Sequence, residues 1–141
     1  MRSALLIAIA LALTACDEKV QDDAARGLTG VDWIAESING KPVIEPGGVT
    51  MTFAEERVTG RSGCNRYFGA AEHGNGKLKI AQVGATKMAC LRDGLMQQEN
   101  DYLTALQASQ TYTFKSDGRL VLSGATGDLV VFTGRAAVTA E

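Results

Sequence analysis

Two cysteines and one histidine are the residues of this chain whose types could support chemistry within a folded domain. Cys64 and Cys90 lie too far apart in sequence for a CxxC redox pair, and one histidine supplies too few ligands for a tetrahedral zinc set. The histidine, His73, stands between Glu72 and Gly74 in a predicted hairpin turn, where a surface role is commoner than general-base catalysis. In an exported protein the two cysteines predict one disulfide, and a pair of buried free thiols is the alternative.

The glycine-rich stretches of the sequence complete no catalytic or nucleotide-binding motif. Residues 60–64 read Gly-Arg-Ser-Gly-Cys, which departs from the nucleophile-elbow pattern at its fifth position, and neither glycine cluster continues into a P-loop. We therefore predict no enzymatic activity, no catalytic residue, no cofactor and no metal. The formal net charge of −2 also offers no general attraction for nucleic acid.

Glu99 is a carboxylate in an unusual place. It lies four residues after Leu95 and four before Leu103, so it belongs to the apolar stripe of a predicted helix. A buried carboxylate is costly unless it is paired or hydrogen-bonded. We expect a structural partner such as Arg66 or Lys87, or an edge position that reaches water. A cluster of Arg66, Lys87 and Glu99 lining an open cleft would instead favour a catalytic acid.

The N-terminal residues resemble the signal peptide of a bacterial lipoprotein. Met1-Arg2 gives a positive start, and residues 4–13 form an unbroken apolar run that is shorter than the ~20 residues of a membrane-spanning helix. Leu13-Thr14-Ala15-Cys16 matches the lipobox pattern of an aliphatic residue, two small residues and Cys. The resemblance implies that residues 1–15 are removed and that lipid is attached at Cys16. An ordinary secreted protein is the alternative.

Residues 16–30 are predicted to form a lipidated cysteine and a flexible tether, and residues 31–141 the folded domain. The segment DEKVQDDAARGLTG is polar and lacks periodicity. A flexible tether of this length spans roughly 20 Å. We therefore expect the domain to lie close to a membrane of the bacterial envelope, on its periplasmic side. Asp17-Glu18 resembles the inner-membrane retention signal of enterobacterial lipoproteins. This slightly favours the inner membrane and leaves the outer membrane open.

The elements that must position these residues are mostly strands. From Val31 onward, short apolar alternations separated by turn residues recur every eight to twelve residues, and Asn39-Gly40 is the strongest hairpin turn. The inward-facing sets are Val49, Met51 and Phe53, then Leu78 and Ile80, then Tyr112 and Phe114. The last strands are supplied by Leu120 and Leu122 and by residues 129–132. This pattern predicts a small curved antiparallel sheet or a partly open β-barrel of seven to eight strands.

One helix interrupts the strands before the last of them. Residues 94–108 are good helix formers, and Asp93 is a candidate N-cap. The residues that share one face at 3.6 residues per turn are Leu95, Tyr102, Leu103 and Leu106. We therefore predict one α-helix inserted before the final strands.

Two separated motifs around the cysteines resemble those of the META domain family, to which the HslJ-type heat-shock lipoproteins belong. They are Ser62-Gly63-Cys64-Asn65-Arg66-Tyr67 and Thr86-Lys87-Met88-Ala89-Cys90, with Glu99 nine residues later. Trp33, Gly40 and Phe53 precede them in the family's order, so the resemblance covers nearly all of residues 31–133. Lys87 stands where the family usually has Arg, which loses a planar five-donor group, and Leu91 stands where Pro often follows the second Cys.

The resemblance implies a β-rich domain at the bacterial envelope that is associated with heat shock, antibiotic tolerance, or secretion and motility. We first interpret the chain as a non-enzymatic lipoprotein that supports stress tolerance by contacting an envelope protein of unknown identity. The rival is a lipocalin-like module that holds a small apolar ligand inside the barrel. The aromatic and methionine side chains that could fill such a barrel themselves are Trp33, Met51, Phe53, Tyr112 and Phe114.

Overall fold

The computed structural model describes residues 27–136. The segments of alternating apolar and polar residues from Val31 onward form nine antiparallel strands. The elements in chain order are β1 (Val31–Ile38), β2 (Lys41–Pro42), β3 (Thr50–Ala54), β4 (Arg57–Arg61), β5 (Arg66–Gly74), β6 (Lys77–Ala85), α1 (Leu95–Ala108), β7 (Thr111–Phe114), β8 (Leu120–Gly124) and β9 (Gly127–Ala136). The predicted signal peptide, the lipobox with Cys16, and Asp17 lie outside the described residues.

Eight of the strands close into a barrel. The neighbours follow the order β1-β3-β4-β5-β6-β7-β8-β9, β9 pairs back onto β1, and the two-residue β2 extends β1 as a short hairpin arm. This confirms the prediction of a β-barrel with one helix before the final strands. The barrel is closed rather than partly open, because β1 and β9 are in register from Val31↔Ala136 to Ile38↔Val130.

Turn chemistry and strand alternation account for the local structure. Asn39 and Gly40 both adopt positive φ, 49° and 76°, as the predicted two-residue hairpin requires. Along β3, Met51 and Phe53 are buried while Thr50 and Thr52 are only half-buried. The barrel interior is filled by its own side chains, and its fully buried members include Val49, Met51, Val58, Leu106, Leu120, Leu122, Val130 and Phe132.

The helix α1 packs against β6, β9, β1 and β8. Its buried face consists of Leu95, Glu99, Tyr102, Ala105 and Leu106. The predicted N-cap at Asp93 is wrong: the capping position belongs to Gly94, whose φ of 78° is left-handed, and no side chain caps the helix. Gly94 starts the backbone ladder instead, since its carbonyl accepts a hydrogen bond from the amide of Gln98.

The fold begins before the boundary that the sequence suggested at Val31. Leu28 is buried, and its carbonyl accepts a 3.0 Å hydrogen bond from the Trp33 indole Nε1. Thr29 then bridges Phe53, at the far end of β3 from Thr50. These contacts make residues 28–30 part of the domain rather than of the tether. Within residues 27–136, no helix combines the length and the apolar character needed to cross a membrane.

Candidate functional site

The chain leaves the sheet after β6 and rejoins it at β7. The candidate site lies in this connecting segment, residues 86–110, which we call the excursion. β6 and β7 share a single registered pair, Lys77↔Thr111, so residues 86–110 connect the two strands without continuing the ladder. The excursion contains the second sequence motif and the helix. Its side chains meet the first motif, which forms the connection between β4 and β5.

A disulfide joins the two motifs. Cys64, after β4, and Cys90, before α1, are bonded with their Cα atoms 5.9 Å apart. The separation of 26 residues makes this a medium-sized loop, for which the chain-entropy treatment gives about 3.5 kcal/mol of stabilisation. The covalent bond therefore fixes the start of the excursion to the barrel.

Asn65 is the centre of a buried hydrogen-bond cluster. Its side chain is 1% exposed, and all of its donor and acceptor capacity is used. Nδ2 donates to Glu99 Oε1 at 2.6 Å and to the Met88 carbonyl at 3.2 Å. Oδ1 accepts from the Thr86 hydroxyl at 2.9 Å and from the Met88 amide at 2.7 Å. A single side chain thus ties the excursion's first residues and the helix to the barrel.

Glu99 is held by Asn65, which corrects the expected pairing with Arg66 or Lys87. The Glu99 side chain is 6% exposed, and its second oxygen, Oε2, accepts from the Asn65 backbone amide at 3.1 Å. Within residues 27–136, neither Arg66 nor Lys87 forms an ion pair with Glu99. The physical reason is that two N–H donors of one residue satisfy both carboxylate oxygens in a place that Arg66, on the outer face of β5, does not reach.

Gly63 permits this close contact between loop and helix. Its φ is 146°, where residues with a side chain are strained, and a Cβ there would lie 3.2 Å from Leu95 Cδ1 and 3.6 Å from Glu99 Oε2. The glycine before the first cysteine therefore has a packing role. It leaves room for the helix to bring Glu99 onto Asn65.

A pair of tyrosines connects the same helix to the barrel wall. The hydroxyls of Tyr67 and Tyr102 are 2.9 Å apart, and Tyr67 donates to the Thr50 carbonyl at 3.0 Å. Burial raises the pKa of Tyr67 and of Tyr102 well above the usual value for tyrosine. Both hydroxyls therefore stay protonated, and they act as hydrogen-bonding groups of the core.

A surface cleft opens beside the cluster. It has a volume of about 500 Å³, and Asn65 and Glu99 lie at its inner side, between residues 85–89 and the helix side chains of Met96 and Leu103. Met88 and Met96 are exposed at its rim, and Leu91, one residue after the disulfide, is 97% exposed. We call these three exposed side chains, Met88, Leu91 and Met96, the rim patch; Met88 and Met96 line the cleft, and Leu91 lies between them in sequence.

Not every residue that the sequence singled out belongs to this site. Trp33 stacks near Phe114, with ring centroids 5.9 Å apart, where the chain enters the barrel. Arg66 contributes backbone hydrogen bonds with Thr86, but its side chain is on the outer face and does not line the cleft. His73 packs edge-on against Phe53 at 5.3 Å and is half-buried. Of the expected Arg66–Lys87–Glu99 cluster, Lys87 and Glu99 line the cleft and Arg66 does not.

The rim patch was missed by sequence reasoning. No hydrophobic periodicity marks Met96 or Leu91 as exposed. Met96 lies outside the apolar stripe of the helix, and Leu91 differs from the family pattern only by replacing Pro. Only the structure shows that both are exposed and that Met96 lines the same cleft as Met88.

Among the described residues, the cysteines and Glu99 are also the group that could hold a metal. Their sulfurs and a carboxylate oxygen lie within 4.8 Å of one another. A thiolate, rather than a disulfide sulfur, is the ligand that metals bind, and both Glu99 oxygens already accept hydrogen bonds from Asn65. In the disulfide form, this group has a structural role.

Known proteins share both the sequence motifs and the fold. The profile of the META domain family matches residues 26–137. Heat shock protein HslJ of Escherichia coli (strain K12) is 29% identical over 100 residues, which cover 59% of this chain and 71% of HslJ. The NMR structure of a protein from Burkholderia xenovorans has a TM-score of 0.62 at 27% identity and covers 78% of this chain and 85% of that protein. A second NMR structure has a TM-score of 0.59 at 27% identity, covering 74% and 90% respectively.

Proposed function

The chain belongs to the META domain family, and from that premise we propose that it is a non-enzymatic, lipid-anchored protein of the bacterial envelope whose rim patch binds another envelope protein during stress. The heat-shock name of the related HslJ supports the link to stress. Cys16 and the lipobox around it support the anchor, with the domain facing the periplasm and Asp17 favouring the inner membrane.

The rim patch is the observation that carries this proposal. Of the five large apolar side chains that are exposed among the described residues, three lie within the nine residues from Met88 to Met96. Clustered exposed apolar groups beside polar ones are typical of protein-binding surfaces. The disulfide and the Asn65 cluster fix the backbone beneath the patch, so little ordering entropy is lost when a partner binds.

The hydrogen bonds of the site support a structural rather than a catalytic role for its polar groups. Both Glu99 oxygens are engaged by Asn65, and the buried tyrosine hydroxyls stay protonated. A general base needs a free acceptor within reach of its substrate. The lipocalin-like alternative gains no support, because the barrel interior is occupied by core side chains and the described cleft opens on the outer surface.

The binding proposal can be tested with Leu91→Asp. Leu91 is almost fully exposed, so this variant keeps the fold, while a charge within an apolar contact weakens binding strongly. We expect cells carrying Leu91→Asp to lose the heat or antibiotic tolerance that the unaltered chain restores to a deletion strain. Thr104→Asp, an exposed position on the helix, is the matched control. Equal tolerance with both variants would contradict a role for the rim patch.

The anchor is tested separately by metabolic labelling with a fatty acid. We expect label on the unaltered chain and none on Cys16→Ser. Label retained by the Ser variant would refute attachment at Cys16. Site-specific photocrosslinking from position 91, compared with position 104, then identifies the partner directly.

A further inference from the structure

The segment 57–87, which contains β4, β5 and β6, carries a charge opposite to that of the rest of the chain. Six of the fourteen Lys and Arg residues, but only one of the sixteen Asp and Glu residues, lie between positions 57 and 87. This segment therefore has a formal charge of +5, and the remainder of the chain has −7. The six cations are all exposed: Arg57, Arg61, Arg66, Lys77, Lys79 and Lys87.

Strand register brings three of these cations onto one surface. Arg61 pairs directly with Arg66 across β4 and β5, so their side chains leave the same face of the sheet, and Arg57 lies further along that face opposite Ala70. Like charges directly opposite each other destabilise an antiparallel pair. Among the described residues, no carboxylate forms an ion pair with any of the three arginines. The fold thus keeps a repulsive arrangement that an anionic partner would relieve.

An exposed aromatic side chain lies among these cations. Phe68 pairs with Thr59 on the same face and is 55% exposed. Its ring lies over Gly84 of β6, where an added Cβ would come within 2.8 Å of the ring atom Cζ. The glycine therefore lets the ring rest against the sheet while one side stays open. Cations around an exposed aromatic ring are typical of surfaces that bind at a membrane interface.

We propose that the β4–β6 face, defined by Arg57, Arg61, Arg66 and Phe68, docks onto the surface of an anionic phospholipid bilayer. Charge complementarity carries the proposal, because the domain is acidic elsewhere and would be repelled by such a surface in any other orientation. The aromatic ring adds an apolar contact at headgroup depth.

The point where the chain enters the fold supports the same orientation. Thr29, near the start of the described residues, bridges Phe53 on β3, the strand next to β4. A tether of roughly 20 Å from this point is long enough for the basic face to contact a bilayer that holds Cys16. This second argument rests on the proposed anchor, whereas the charge argument does not.

Cosedimentation with lipid vesicles tests the proposal without the anchor. The probe is the chain from residue 16 onward carrying Cys16→Ser, which contains every described strand and the helix. We expect it to bind vesicles of equimolar phosphatidylcholine and phosphatidylglycerol, more weakly as salt is added, and not to bind phosphatidylcholine alone. The triple variant Arg57→Gln/Arg61→Gln/Arg66→Gln should lower the partition coefficient by about two orders of magnitude, since each cation contributes about fivefold.

A second triple variant controls for overall charge. Lys41→Gln/Lys115→Gln/Arg135→Gln removes the same number of exposed cations from other strands and turns, and we expect it to lower the partition coefficient by less than about fivefold. Phe68→Ala should remove the binding that persists at high salt. Equal losses for the two triple variants, or equal binding to neutral vesicles, would overturn the proposal. So would binding to soluble polyglutamate without binding to anionic vesicles, which would identify an acidic protein as the occupant of this face.

Because the probe is unlipidated, its failure to bind leaves the anchor experiment untouched. Loss of fatty-acid labelling, in turn, has no effect on this measurement. The two proposals can therefore fail separately.

Discussion

Two junctions of the barrel are held together in different ways. β1 and β9 are in register at seven pairs that run over the whole of β1. β6 and β7 share only the pair Lys77↔Thr111, and the chain between them leaves the sheet. The first junction is closed by backbone hydrogen bonds. The second has only two backbone hydrogen bonds, from the Leu78 amide to the Gln110 carbonyl and from the Tyr112 amide to the Gly76 carbonyl. Beside it the helix packs against β6 and β8, and the Asn65 cluster and the Cys64–Cys90 disulfide tie the helix and the segment before it to the barrel.

This difference explains where the recognisable motifs lie. A backbone ladder accepts many residue types, provided that they alternate between the core and solvent. A hydrogen-bond cluster needs particular donors and acceptors at particular distances, because each unsatisfied buried group is costly. Gly63, Asn65, Thr86 and Glu99 are therefore specific to their positions, whereas most residues of β9 need only be apolar on one side.

The largest expected effect is at Asn65. Asn65→Ala leaves Glu99 Oε1 without its donor and the Met88 amide without its acceptor, both next to the core. We expect a loss of about 4 kcal/mol of unfolding free energy in a denaturant titration. Asn100→Ala, at an exposed helix position, is the control and should change stability little. If Asn65→Ala unfolds at the same denaturant concentration as the control, the cluster does not hold the second junction.

Removal of the disulfide should have the second-largest effect on stability. Cys64→Ser/Cys90→Ser is expected to lower the unfolding free energy by about 3.5 kcal/mol, because the unfolded chain regains the freedom of the closed loop. Amide exchange should then accelerate in the helix and at β6–β7 but not at β1–β9. Alkylation before and after reduction checks the bond itself. Two labelled thiols before reduction, or faster exchange at β1–β9 as well, would contradict this account.

Glu99→Gln probes one hydrogen bond of the same cluster. The new amide group turns one acceptor into a donor, and it then faces a donor of Asn65. We expect a loss of about 2 kcal/mol and a matching fall in melting temperature. Asp101→Asn makes the same charge change on the same helix at a half-buried position and should cost less than about 0.5 kcal/mol. Equal melting temperatures for the two variants would exclude a structural role for the carboxylate.

Sequence reasoning recovers the strands better than the two junctions, since it left the β1–β9 closure open. Alternation predicted the strands, and Asn39-Gly40 predicted the β1–β2 hairpin, because side-chain period and positive φ are local properties. The helix was also predicted, but its start was misplaced at Asp93, since the left-handed turn at Gly94 depends on how the excursion leaves the disulfide. The partner of Glu99 was misassigned because a charged partner was expected. The actual donors come from a residue 34 positions away, whose loop the fold brings to the helix.

The smallest expected effect lies at the first junction. Thr133, on the outer face of β9, hydrogen-bonds to Glu36 of β1 across the seam, but both side chains are exposed and the strands are already joined by their backbones. Thr133→Val removes this hydroxyl and keeps the shape and β propensity of the residue. The unfolding free energy should change by at most about 0.5 kcal/mol, as measured by denaturant titration. A loss comparable with that of Glu99→Gln would mean that side chains also hold the β1–β9 junction, and the contrast between the two junctions would no longer stand.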